Sequence, residues 1–124
     1  DLEVIVSQAL SIDSLKRLHI DLDSHHNPPS FARQHSGRLQ SLTLSSVHTG
    51  FRSMENISRN LTHLRYLYAN LSTHLATSSL TMTPMVHLHT LDLSLRFVDY
   101  LNFDILRSLF QAMPVLQHLT VELC

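Results

Sequence analysis

The chain has 124 residues, enough for one modest domain. Nine Lys and Arg stand against ten Asp and Glu, a net charge of −1 with His neutral, and that balance speaks against an electrostatically driven nucleic-acid binder or a polybasic membrane-surface protein. Apolar residues make up 44%, too many for a disordered tail; no run of roughly 18 apolar residues offers a membrane span; and a single cysteine, Cys124, makes no intramolecular disulfide.

In chain order, Leu2-Glu3-Val4-Ile5-Val6 reads as the end of a strand, and no basic segment precedes an apolar one, so no signal peptide is expected. Leu15 to Leu22 alternates as a strand does, and Ser24–Gly37, with His25-His26-Asn27-Pro28-Pro29, reads as an irregular loop. Leu39 to Leu44 is the next strand. Ser53 is then placed to cap a short helix with Met54, Ile57 and Leu61 on one face. Leu64 to Leu71 is a third strand, and Ser72–Pro84, rich in Ser and Thr, a second loop. After the strand from Leu88 to Leu95, the residues Leu101, Ile105, Leu109 and Met113 recur every four positions, with Leu106 and Phe110 beside them. They predict a helix from Phe103 to Met113, ended by Pro114. Leu116 to Leu123 closes the series as a fifth strand.

The strands share one pattern, L-x-x-L followed by x and an apolar residue. It is carried by Leu15-Lys16-Arg17-Leu18-His19-Ile20, Leu39-Gln40-Ser41-Leu42-Thr43-Leu44, Leu64-Arg65-Tyr66-Leu67-Tyr68-Ala69, Leu88-His89-Thr90-Leu91-Asp92-Leu93 and Leu116-Gln117-His118-Leu119-Thr120-Val121. The first leucines lie 24, 25, 24 and 28 residues apart. Leu22, Leu71, Leu95 and Leu123 extend four of the five to an eighth position. Because side chains alternate across a strand, positions four, six and eight face a core and positions three, five and seven face out. One such unit cannot bury its apolar face alone, so neighbours must stack.

From Ser14 to its end the chain resembles the leucine-rich repeat family. The resemblance implies an α/β solenoid: a horseshoe arc with a parallel β-sheet on the concave face and short helices and loops on the convex face. It makes residues 1–124 a single domain of about five repeats (motifs starting at 15, 39, 64, 88 and 116) within a longer array. Neither end offers a polar cap, so self-association through the ends is expected. The segment Met113–Cys124 is similar to the P-x-L-x-x-L-x-L-x-x-C pattern of intracellular F-box leucine-rich-repeat proteins, and the helix before it fits that subclass. The ninth positions Asp23, Val47, Ser72 and Arg96 supply no asparagine ladder of the extracellular types. The likeness implies a non-enzymatic protein–protein recognition module of the cytoplasm or nucleus, the substrate-binding repeats of an F-box-like ubiquitin-ligase adaptor. The alternative is the ligand-binding repeats of a receptor or immune-type sensor.

Function in such arrays sits on the concave sheet. There the expected binding residues are Arg17, Tyr66 and His118 at position three and His19, Thr43, Tyr68, Asp92 and Thr120 at position five, with a protein as the partner. Tyr66 and Tyr68 point to the same side, beside Asp92 and Thr43, and tyrosine is enriched in binding hot spots; the plainer reading is that β-propensity alone favours them on a strand surface. No metal site is expected. His87 and His89 flank Leu88 with no third ligand fixed nearby, and His25-His26 falls in a loop. No cofactor and no catalysis are expected either: Cys124 has no fixed histidine partner, and Gly37 and Gly50 build no phosphate loop.

Overall fold

The structure is a computed structural model of the chain and describes residues 2–21, 38–72, 81–96 and 103–123. Its elements are helix α1 (Leu2–Leu10), strands β1 (Arg17–Asp21) and β2 (Ser41–Thr49), helix α2 (Phe51–Asn60), strands β3 (Tyr66–Ser72) and β4 (Thr90–Arg96), helix α3 (Phe103–Gln111) and strand β5 (His118–Leu123). The five strands form one sheet in chain order, every pair parallel. The fold is therefore α/β, with a five-stranded parallel sheet and three short helices among the described residues.

Alternation sets the sheet's two faces. Leu42, Leu67 and Leu91 at position four and Leu44, Ala69 and Leu93 at position six are buried, as are Leu71 and Leu95 at position eight. They form a single apolar cluster with Met54 and Ile57 of α2, Leu109 of α3, and Leu61 and Met113 just beyond those helices. One face of the sheet is thus covered over β2, β3 and β4, while Leu119 and Val121 on the same face of β5 stay exposed, and the other face carries positions three, five and seven. Register keeps the rows aligned: Ser41, Tyr66, Thr90 and His118 are neighbours across four strands, and so are Thr43, Tyr68, Asp92 and Thr120.

Four of the five strands, β1, β3, β4 and β5, start in the same way. The amide of the first motif leucine donates to the carbonyl three residues earlier: Leu15 to Ile12, Leu64 to Leu61, Leu88 to Met85 and Leu116 to Met113. The residue just before each strand then offers one carbonyl to two amides of the next repeat. Lys16 accepts from Gln40 and Ser41, Gln40 from Arg65 and Tyr66, Arg65 from His89 and Thr90, and His89 from Gln117 and His118, all at 2.7–3.1 Å. This ladder holds the strand starts in line. Pro114 occupies the second position of its turn, where its fixed φ is favoured.

Three expectations are corrected. Leu2–Val6 is not a strand end but part of α1, whose Val6 and Leu10, one turn apart, join the core cluster beside Ile20. Ser53 lies inside α2 and does not cap it; the cap position is Gly50, with extended backbone (φ −83°, ψ 171°) and no side-chain bond. Helix α3 starts at Phe103 as expected but ends at Gln111, before Met113. The loop Ser24–Gly37 lies outside the described residues, as do Leu22, Asp23 and Cys124. Of Ser72–Pro84, Ser72 ends β3, residues 73–80 lie outside the description and 81–84 have no regular structure.

In β2 the register shifts between Leu44 and His48: Leu44 pairs with Ala69, whereas His48 pairs with Asn70. This is the repeat whose eighth position is Ser46.

Candidate binding face

The open face of the sheet holds all eight expected residues. Tyr66, Tyr68, Asp92 and Thr43 are half-buried at its centre, while Arg17, His19, His118 and Thr120 are exposed on the outer strands β1 and β5. With strands about 4.8 Å apart, Arg17 and His118 stand roughly 19 Å from one another along one row. The central four are therefore brought together, and the outer four frame them.

Side chains at the centre are tied diagonally. The Tyr66 hydroxyl donates to Asp92 Oδ2 at 2.9 Å, reaching from position three on β3 to position five on β4. His19 Nε2 and Ser45 Oγ, 2.9 Å apart, repeat the same diagonal from β1 to β2. The Tyr68 hydroxyl contacts Asn70 Oδ1 along its own strand at 3.5 Å. Burial, then the hydrogen bond to Asp92, the charge of that carboxylate and the nearby Tyr68 push the Tyr66 hydroxyl above its ordinary value of 10.0. The phenol is thus held as a donor and its ring is fixed in orientation.

Two residues of this face lay outside the expected set. Asn70 and Ser45 sit at position seven, and the continuation of the same face two residues past Tyr68 and Thr43 is the signal that points to them. In that row Ser94 differs from its neighbours in being buried, at 5% exposure.

His87 and His89 do not converge. His89 Nδ1 bonds the His87 carbonyl at 2.6 Å, while the His87 ring stacks on His63, centroids 5.5 Å apart and planes 9° from parallel. Among the described residues no three His, Cys, Asp or Glu side chains gather as metal ligands would. No described helix is long and apolar enough to cross a membrane. Compared with known protein families, curated proteins and solved structures, the chain gives no match.

Proposed function

We propose that the chain is a non-enzymatic protein-recognition module, a stack of leucine-rich repeats whose open sheet face binds a partner protein around Tyr66 and Tyr68. The observation that carries this reading is the central pair of tyrosines, half-buried and oriented by the 2.9 Å bond from Tyr66 to Asp92. An aromatic already fixed on a rigid sheet loses little side-chain freedom on binding, which is why such residues anchor interfaces. The repeat reading is supported by the motif spacing and by the shared-carbonyl ladder that recurs at each strand start. In the F-box-like form of this reading, the protein held here is the substrate of a ubiquitin ligase.

The test compares proteins captured by immobilised wild-type chain with those captured by Tyr68→Ala, identified by mass spectrometry. Tyr68→Ala keeps the fold and loses the specific partner, with affinity falling about tenfold or more. Arg52→Ala, on the exposed side of α2, retains it. A partner set unchanged by Tyr68→Ala moves the binding site off this face. The ligase form requires in addition that the captured partner live longer in cells carrying the tyrosine variant.

A further inference from the structure

We infer that the side chains at the starts of the strands form a second contact surface, one that takes an acidic segment of a partner protein and grips it more tightly as the pH falls. The surface is separate from the tyrosine centre and stands whether or not that centre binds anything.

Its frame is the shared-carbonyl ladder. Lys16, Gln40, Arg65, His89 and Gln117 are successive rungs, their backbones joined by bonds of 2.7–3.1 Å, so they follow one another across the sheet at one level. Two residues before three of those rungs stand Arg38, His63 and His87, the two histidines stacked on each other. Lys16, Arg38, His63, Arg65 and His87 are exposed and His89 is half-buried. At about 4.8 Å per strand the line runs roughly 19 Å, the span of about six residues of extended peptide.

Charge is segregated along the strands. The cations Lys16, Arg38 and Arg65 stand at or just before the strand starts, as do His63, His87 and His89, and among the described residues the only acid at this level is Asp13. The sheet's acids, Asp21, Asp92 and Glu122, lie further along, at positions five and seven. A carboxylate-rich segment laid across the strand starts meets Lys16, Arg38 and Arg65 at the first three strands and histidines at the last two, and stays clear of those acids. A long phosphate backbone fits less well: the net charge of −1 gives it no general attraction.

The stacked pair His63–His87 supplies the pH response. Histidine gains its charge between about pH 8 and 5, whereas glutamate and aspartate of a partner remain ionised over most of that range. Two imidazolium rings in a parallel stack with centroids 5.5 Å apart repel, and a carboxylate seated against both offsets that repulsion. Protonation and binding therefore reinforce each other. Thr62 Oγ1 lies 3.3 Å from His63 Nδ1. Among the described residues, the cationic and imidazole groups of the adjoining elements are Arg52 and Arg59 of α2, Arg38 before β2, Arg65 before β3, His89 before β4 and His118 at the head of β5; their acids are Glu55, which accepts the Thr81 amide, Asp92, which accepts the Tyr66 hydroxyl, and Glu122 further along β5.

The test uses the whole chain and a fluorescein-labelled oligo-glutamate peptide, with oligo-glutamine as control, followed by fluorescence anisotropy at about pH 8 and about pH 6. Oligo-glutamate binds about tenfold tighter at the lower pH and oligo-glutamine does not bind. The variant His63→Gln with His87→Gln loses that gain but keeps the affinity seen at the higher pH. Arg38→Gln with Arg65→Gln weakens binding at both. Circular dichroism checks that these exposed substitutions leave the fold unchanged. Absence of oligo-glutamate binding overturns the proposal, and so does binding indifferent to the arginine pair or to pH. Tighter binding of a single-stranded RNA of matched charge overturns it in favour of a nucleic acid.

Discussion

Tyr66 shows how a surface residue acquires a fixed role. Its ring stands between Ser41 and Thr90 in the row, and its hydroxyl is committed to Asp92. The same bond that orients the ring also resists loss of the proton, because a phenolate beside that carboxylate would place two negative charges together. The sign follows: a folded-state value raised above 10.0 gives stability fully present below that pH and lost as pH rises through the raised value. We expect Asp92→Asn to lower the pH at which Tyr66 ionises, since only burial and Tyr68 then oppose the charge. The tyrosinate absorbance of Asp92→Asn, corrected with Tyr66→Phe, measures it. An unmoved titration would mean that burial alone governs this phenol.

At the scale of elements, α2 does more than cover the core. Its Ser58, buried, donates to the Glu55 carbonyl at 2.8 Å and accepts the Thr83 amide at 3.1 Å, and Glu55 Oε2 takes the Thr81 amide at 3.3 Å. The helix thereby anchors the segment that leads into β4. Ser58→Ala removes one of these anchors and should cost about 1 kcal/mol. Met54→Ala, which empties a fully buried site on the same helix, should cost about 2–5 kcal/mol. Urea denaturation of both variants checks the order, and equal losses would deny Met54 its place in the core. The strands and the inward face of α2 were legible because alternation and i, i+3 spacing encode burial directly. Helix α1 was not: Val4, Ile5 and Val6 favour a strand by local preference, and the packing of Val6 and Leu10 onto the core overrides it. The cap of α2 was misplaced because Ser53 is the better capping residue, yet the chain leaves β2 at Thr49 and turns at once through Gly50. All eight residues of the candidate face could be placed by parity. The diagonal bond to Asp92 and the His63–His87 stack could not, since period assigns a residue to a face and not to a partner.

For the whole molecule, the stack makes stability collective. Leu67 is fully buried in the middle strand, with Leu42 and Leu91 as its register neighbours. Leu67→Asp places an unpaired charge there, at a cost of about 3–5 kcal/mol. That is a large share of a small domain's stability, so we expect loss of cooperative thermal unfolding by circular dichroism. A wild-type melting curve would refute the register. The far end is less well covered: Leu119 and Val121 of β5 are 46% and 43% exposed, where Leu91 and Leu93 beside them are buried. Concentration-dependent association through this edge is expected, and Leu119→Lys with Val121→Lys should leave a folded monomer by light scattering. Association that persists in that variant would place the contact elsewhere.

The turns before β1, β3, β4 and β5 and the carbonyls shared between successive strand starts also act as a reset of phase. Between resets the spacing wanders over 24, 25, 24 and 28 residues, and β2 even slips against β3, yet Thr90 still meets Tyr66 and His118 still meets Thr90. Errors in length do not accumulate from one repeat to the next. We accordingly expect insertions between the end of a strand and the following turn to leave the sheet register unchanged, and insertions from a turn to the sixth motif position to disrupt it. One residue added between Leu88 and Leu91 would turn Leu91 and Leu93 outward and Asp92 into the core. Connector length is thus open to the protein engineer, and the short frame at a strand start is not.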